Sequence, residues 1–505
     1  MSRKKRRKAP QTAAVPTSPP DSAPVSSRWR FFVWMCAFFF FAALIIRLDV
    51  ITAWPGAEGF ALAQAVGNDW GAYLPAALNH ALLPLGLSID TETDAIFLFP
   101  RLVSATCLLL TGFFTHRWAK RLFGRQVSEL TLLCAGASLF LPFFGKVASA
   151  DALALLGHAG MFWTVMLYGL AGDTRKMLPF GIFVMLAAIA APVSTLLLGL
   201  MLVILTVFQR TDYNWQTPAG LSVGISCLVL LVQGPQEANT YWYYGQEDSR
   251  VLDLLYYGLL GMLPLAGWLV AGIRDLIYKN QKFEQFSLII AMALVSTLLA
   301  QSLLFMLLLS LVAGKQMQLY FREANYPWKN YVKTTFVLHL ILAFVAVFLL
   351  LLGGGLAFPG AGFRAALGMA AAYWIFSLLA TLGVFGDRRD FAIGGSVLAG
   401  MLTVMFFWVQ VYPYLEAERT WPSRLLEADI EPSTLRLPDE AYESELSSAL
   451  PYFVRAGWQL DEGGEYRLYH LPATDTTARE GGGGARVRGR SMVMPGIFGI
   501  QAVGQ

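Results

Sequence analysis

Runs of apolar residues long enough to cross a bilayer recur from Trp29 to Tyr412, separated by short polar turns. A hydrocarbon core of about 30 Å takes roughly 20 helical residues at 1.5 Å each. Backbone donors and acceptors inside lipid find partners only within the chain, so such runs form helices or closed barrels. They lack the in–out alternation of a barrel strand. The expected fold is all-α: a polytopic transmembrane helical bundle of about 12–13 spans with a small polar C-terminal extension. Composition agrees, because 56% of the residues are hydrophobic and only 14% charged. That is too little charge to cover a soluble chain of 505 residues.

Residues 1–28 read as a disordered cytoplasmic tail, with a basic run Arg3–Lys8 and then a Pro/Ser/Ala stretch. The run Trp29–Ile51 is too long for the apolar region of a cleaved leader, so it is expected to remain as the first helix, N-terminus in the cytoplasm. The transmembrane region is expected over 29–412, with 52–97 as an external loop of interfacial segments. Spans follow at about 98–114, 130–144 and 152–170. The basic turns around Arg117, Lys120, Arg121 and Arg125, and at Asp173–Lys176, are placed in the cytoplasm. Met177–Phe208 reads as a hairpin broken at Pro192, which removes a backbone donor in mid-run. Further spans are expected at 218–233, 255–273, 286–312, 335–352, 365–385 and 392–411, with 234–254 outside.

Strict alternation then puts 313–334 outside, although it carries Lys315, Arg322, Lys329 and Lys333. Gly386–Asp390, with Arg388 and Arg389, conflicts with the positive-inside rule in the same way. Either one span is miscounted or those charges act outside. Residues 413–480 form a polar C-terminal region with a small αβ segment near Ser444–Leu471, and 481–505 read as a flexible tail.

The four cysteines lie inside apolar runs and give neither a disulfide framework nor a metal-ligand spacing. His80 and His158 stand alone and read as structural; His116 belongs to a basic cytoplasmic loop. The net charge of +4 resides in short loops, so nucleic acid is not an expected partner. No glycine-rich phosphate loop precedes a helix. Neither an internal repeat nor midplane charges point to a secondary transporter. The aromatic stretch Tyr241-Trp242-Tyr243-Tyr244 reads as an interfacial anchor, or alternatively as a face for sugar stacking. Two carboxylates stand at external helix boundaries, Glu58 after the first span and Asp151 at the head of the fourth. Ionisable groups at membrane depth are costly and suggest function; the bland alternative is a helix cap for Asp151 and a solvated loop charge for Glu58.

Arg101-Leu102-Val103-Ser104-Ala105, then Arg121-Leu122-Phe123-Gly124-Arg125, then Lys146 through Asp151 follow one another in an order and spacing that resembles the aminoarabinose transferase and protein O-mannosyltransferase family. These are membrane glycosyltransferases of the GT-C type. The resemblance covers about 50–210 and extends weakly to Gly314-Lys315-Gln316-Met317-Gln318-Leu319-Tyr320. It implies transfer of a sugar from a polyprenyl-phosphate carrier to a lipid, protein or glycan acceptor on the extracytoplasmic face, in a bacterial cytoplasmic membrane. It also implies a catalytic acidic centre of Glu58 and Asp151, and carrier-phosphate contacts from Arg101, Lys315 and Tyr320. The chain departs from the family at Ala57, where an acidic residue precedes Glu58's equivalent, at Asn79–Pro84, where a Lys-Pro-Pro stands, and near Ala190-Ala191-Pro192, where a lysine precedes the proline. Those departures favour a rival reading: a catalytically inactive GT-C-fold membrane protein that binds a lipid-linked glycan or scaffolds a partner. No cofactor is implied, and nothing in the sequence supports a divalent cation.

Overall fold

The computed structural model describes residues 27–46, 98–148, 150–208, 215–233, 250–282, 284–323, 325–357, 361–417, 421–427, 430–436, 446–461, 463–472, 485–490 and 495–503. The bundle is built from α1 (Ser27–Ile45), α2 (Leu98–Phe123), α3 (Arg125–Ala137), α4 (Ala150–Ala171), α5 (Met177–Ala190), α6 (Pro192–Phe208) and α7 (Gln216–Gln233). It continues with α8 (Arg250–Gly261), α9 (Ala266–Gln281), α10 (Gln285–Leu299), α11 (Leu304–Arg322), α12 (Lys329–Ala357), α13 (Ala361–Phe385), α14 (Arg389–Phe406) and α15 (Tyr412–Ala417). A π turn over Phe407–Val411 joins the last two. Among the described residues six helices are long and apolar enough to span a membrane, with a bent pair, Leu254–Gly261 and Leu263–Gln281, as a seventh. Pro192–Thr206, Gln216–Val232 and Phe286–Leu299 are shorter apolar helices.

The expected hairpin is present: α5 and α6 meet at Ala191, directly before Pro192. Two expectations for the bundle are corrected. The loop at 115–126 is helix as far as Phe123, and the chain reverses at Gly124, whose φ of 85° suits a residue without a Cβ. His116 therefore lies on α2, where the Ser128 hydroxyl meets its Nδ1 at 2.8 Å.

The second correction is larger. The apolar run 286–312 is two helices, α10 and α11, separated around Gln301 and Ser302. Gln301 takes a φ of 53°, which an α-helix cannot contain. A single helix of that run would be about 40 Å long at 1.5 Å per residue, more than the hydrocarbon requires. The extra reversal changes the parity of everything after it. It also dissolves most of the loop 313–334, since α11 continues to Arg322 and α12 resumes at Lys329.

The contacts verify the new parity. Trp29, at the start of α1, donates to Glu129 Oε2 at 2.7 Å, while Arg125 Nε meets Glu129 Oε1 at 2.6 Å. Arg389, at the start of α14, lies 5.2 Å from the Trp29 ring centroid. Lys329 pairs with Asp387 at 3.0 Å, and the Tyr320 hydroxyl reaches Val384 O at 3.2 Å and Asp387 Oδ1 at 3.4 Å. The Lys329 ammonium, donating to the Asp387 carboxylate in this turn, holds it below the ordinary carboxylate range. The start of α1, the Gly124 turn, and the turns after α11 and α13 therefore share one end, here termed the basic end. Once the split is counted, the charges that conflicted with the positive-inside rule share one end with the other basic turns.

Small residues set the close helix crossings. A Cβ on Gly314 would lie 2.9 Å from the Thr131 amide nitrogen, so α11 and α3 approach backbone to backbone only because glycine is there.

The C-terminal region carries α16 (Trp421–Leu426), β1 (Thr434–Arg436), α17 (Leu450–Arg455), β2 (Gln459–Asp461), β3 (Tyr466–Pro472), β4 (Arg486–Arg490) and β5 (Pro495–Ala502). The five strands form one sheet in the order β2-β1-β3-β5-β4, with β1 parallel to both neighbours and the β3/β5 and β4/β5 pairs antiparallel. The αβ segment expected near Ser444–Leu471 is thus part of a larger unit. The expected flexible tail from 481 is corrected, because it supplies the edge strand β4 and the interior strand β5. Phe498, 0% exposed and stacked 4.2 Å from Trp421, and Ile500 anchor that strand in a separate apolar core.

Candidate functional site

The opposite end of the bundle holds three buried ionisable groups. Arg101 lies in the first turns of α2, Asp151 in the first turn of α4, and Lys146 in the connection before it. Arg101 is 0% exposed, Lys146 1% and Asp151 6%. Three charged side chains removed from water at one end of a membrane bundle are costly unless each is well partnered.

Lys146 shows how that cost is met. A short 3-10 turn, Leu141–Gly145, compresses the chain between α3 and α4 and turns Lys146 toward α1. Its Nζ donates to Ile46 O at 2.5 Å and to Leu44 O at 3.3 Å. These are carbonyls at the C-terminus of α1, which lack partners in their own helix and carry the negative end of its dipole. The same ammonium lies 4.7 Å from the ring centroid of Trp408, on the π turn that follows α14. Trp408 packs on Tyr412 at 4.8 Å, and both are buried. Lys146 therefore joins the exit of α1, the approach to Asp151 and the exit of α14.

Replacing Lys146 with Met keeps the stem and removes these polar contacts. The expected loss is about 1.5–3 kcal/mol, the ordinary worth of hydrogen bonds to a charged donor. A lowered melting temperature in detergent checks this; an unchanged one would mean that the carbonyls find water instead.

The placement of the other expected residues divides them. Asp151 and Arg101 are at this end. Glu58 lies outside the described residues, as do the whole loop 52–97, His80 within it and the Tyr241–Tyr244 stretch. Lys315 and Tyr320 are on α11 toward the basic end, so they are not brought to Asp151. Tyr320 is bound to the exit of α13, and Lys315 sits near Asp275. Both were placed outside by an alternation that lacked the break at Gln301.

His158, two turns along α4 from Asp151, is structural as expected: its Nε2 meets Thr195 Oγ1 at 3.1 Å and its Nδ1 meets Ser302 Oγ at 2.8 Å. It borders an apolar cavity of about 40 Å³ lined by Met161, Met166, Met201, Leu198 and Trp215. Among the described residues no three His, Cys, Asp or Glu side chains are grouped to hold a metal.

The sequence alone assigns no role to Lys146, Trp408 or Tyr412. The available signal was a lone lysine between two apolar runs, a residue that lipid tolerates only when it is tied down. Trp408 and Tyr412 carried no such signal, because Trp and Tyr near the end of a span are ordinary belt residues.

The chain matches the family model of the Alg9-like mannosyltransferase family over residues 72–265. Its fold matches the crystal structure of ArnT from Cupriavidus metallidurans in the apo state, with a TM-score of 0.58 and 13% identity over 94% of this chain and 97% of that one. It also matches the structure of ArnT from Cupriavidus metallidurans bound to undecaprenyl phosphate, with a TM-score of 0.60 and 13% identity over 94% of this chain and 98% of that one. No curated protein matches the sequence. The chain therefore shares the multi-pass helical fold of these ArnT structures, and its match to the mannosyltransferase family model is confined to residues 72–265.

Proposed function

We propose that the chain transfers a sugar from a polyprenyl-phosphate carrier to an acceptor at the bundle end that holds Asp151. The observation carrying this reading is the burial of Arg101, Lys146 and Asp151 together at that end, in a fold whose solved relative binds undecaprenyl phosphate. In the reaction an acceptor oxygen forms a bond to the anomeric carbon as the bond from that carbon to the carrier phosphate oxygen breaks. The electron pair of the broken bond leaves with the phosphate. A carboxylate takes the acceptor proton, a role that suits Asp151 or Glu58. Arg101, a fixed planar cation, suits the charge growing on the phosphate. Lys146 is committed to the α1 carbonyls and Trp408, and serves to position the segment before Asp151.

Sidedness belongs to the same proposal. Basic turns gather at the end opposite Asp151, which supports a cytoplasmic N-terminus and an extracytoplasmic site in a bacterial cytoplasmic membrane. One sequence feature favours the rival, non-catalytic reading: Ala57 stands where the resembled family has a first acidic residue. The two part in a single assay. Full-length protein in nanodiscs is given polyprenyl-phosphate-linked sugar and an extract of envelope lipids and glycans as acceptors. Release of free polyprenyl phosphate, coupled to label on the acceptor, supports transfer. Saturable carrier binding with no release supports the rival.

A further inference from the structure

The basic end contains a second group of buried polar side chains, unrelated to the transfer reaction. Asp275, on α9, is surrounded by donors: Lys279 Nζ at 2.7 Å and Gln316 Nε2 at 3.0 Å on one oxygen, Trp328 Nε1 at 3.2 Å on the other. The Gln316 carbonyl in turn accepts from the Tyr326 hydroxyl at 2.6 Å. This network consumes its own acceptors, and Asp275 is neutralised by Lys279 next to it.

Lys315, the neighbour of Gln316 on α11, is left out. It is partly buried, and its Nζ lies 5.0 Å from the ring centroid of Phe286. Among the described residues it has no ion pair and no hydrogen bond. Lysine ammonium groups are strongly hydrated, and removing one from water without a compensating acceptor is unfavourable. Lys315 borders a cavity of about 20 Å³ together with Asp275, Phe286, Ser287 and Gln316. That is room for an oxygen-sized group or two. Ser287 lies in the first turn of α10, where helix N–H groups lack partners and favour an anion. Glu284 opposes an anion there, but its carboxylate already accepts from the Ser287 hydroxyl at 3.2 Å.

The surroundings place this cavity at headgroup depth. Tyr278 packs edge-on against Trp328 at 5.6 Å, and Arg274 lies 5.6 Å from the Trp328 ring and 5.9 Å from that of Tyr331. Such aromatics gather where hydrocarbon meets water. Lys282, over the Tyr278 ring at 4.2 Å, adds a cation at the same level. Against Asp275 and Glu284 stand Arg274, Lys279, Lys282 and Lys315, so the mouth is net cationic. Basic pockets between transmembrane helices at the positively charged face are suited to phosphate-bearing headgroups.

We infer that Lys315 and the cavity between α9, α10 and α11 form a binding site for the phosphate of an anionic phospholipid in the leaflet at the basic end. A phosphoryl oxygen enters the cavity and accepts from Lys315, while the rest of the headgroup stays at the mouth near Lys282. The site is separate from the Asp151 end and stands whether or not the chain transfers sugar.

The test uses the purified full chain in a non-ionic detergent, titrated with short-chain phosphatidylglycerol, short-chain phosphatidylcholine or inorganic phosphate. Bound lipid is counted by native mass spectrometry, and melting temperature is followed in parallel. Wild type is expected to retain one phosphatidylglycerol in preference to phosphatidylcholine, with a higher melting temperature. Lys315→Gln is expected to weaken that binding about tenfold or more, Lys315→Arg to keep most of it. Without lipid, Lys315→Gln should melt at or above the wild-type temperature, since a partly buried charge with no hydrogen-bond acceptor has been removed; this shows that the variant folds. Equal phosphatidylglycerol binding by wild type and Lys315→Gln overturns the site. Displacement of the lipid by inorganic phosphate at matching concentration overturns the lipid as its ligand.

Discussion

Asp151→Asn is expected to lower sugar transfer by about two to four orders of magnitude, the usual contribution of a positioned general base. The substitution preserves shape and still offers an acceptor oxygen, but the amide cannot take a proton from an acceptor hydroxyl. Asp151 is 6% exposed in the first turn of α4, so its carboxylate also faces the positive end of that helix. Losing this charge–dipole attraction costs about 0.3–1 kcal/mol of stability, too little to explain a loss of that size. Two measurements separate the effects. Initial transfer rates should collapse, while binding of the polyprenyl-phosphate carrier and the melting temperature change little. Asp173→Asn is a fair control: Asp173 pairs with Arg121 at 3.7 Å at the basic end, far from the proposed chemistry. If both variants keep their rate, Asp151 is a helix-capping residue and the acidic-centre reading is lost.

Much of this molecule was legible from apolar run lengths alone, because lipid leaves the backbone few alternatives. Where the reading failed, it failed for local reasons. Hydropathy does not register the polar pair Gln301-Ser302 within 27 residues of mostly apolar sequence, yet Gln301 in the left-handed region ends one helix and Ser302 serves the next. The Ser302 hydroxyl bonds His158 Nδ1 and also receives the Leu304 amide at 3.2 Å, so the polar residue that looked incidental holds the break in place. Gly124 was visible as a residue and not as a turn, since the charges around it suggested a longer loop. The strands of the last twenty residues were hidden by the preceding Gly481–Gly484 run, whose composition suggests flexibility and says nothing of Phe498 and Ile500 beyond it.

The candidate site was legible in a different way. Arg101 and Asp151 were recognised through an ordered resemblance, and the fold gathers them at one end. Lys315 and Tyr320 came from the same resemblance through its weakest stretch, and the fold carries them toward the other end. The difference lies in chain length between motif and landmark: Asp151 directly follows the turn that orients it, whereas the position of Lys315 depends on the parity of every earlier span.

That parity makes the labelling of introduced cysteines an all-or-none experiment. In a background with Cys227, the only exposed native cysteine among those described, replaced by Ser, cysteines are placed at Asn325, in the turn after α11, and at Glu465, in the C-terminal sheet unit. With α10 and α11 as separate crossings, Asn325 shares a side with the Gly124 turn and the start of α1, and the chain leaves the bundle after α15 on the other side. A membrane-impermeant maleimide added to intact cells is therefore expected to label Glu465→Cys nearly completely and Asn325→Cys only after lysis. The physical force behind the expectation is the charge around that turn, where Arg322, Lys329 and Lys333 flank a loop of six residues. Short loops so rich in Lys and Arg are retained in the cytoplasm. Labelling of both cysteines in intact cells would mean that the break at Gln301 is not a crossing, returning Lys315 to the side of Asp151 and restoring its candidacy for the carrier phosphate. Labelling of Asn325→Cys alone would invert the bundle, and with it the face on which Asp151 could meet an acceptor.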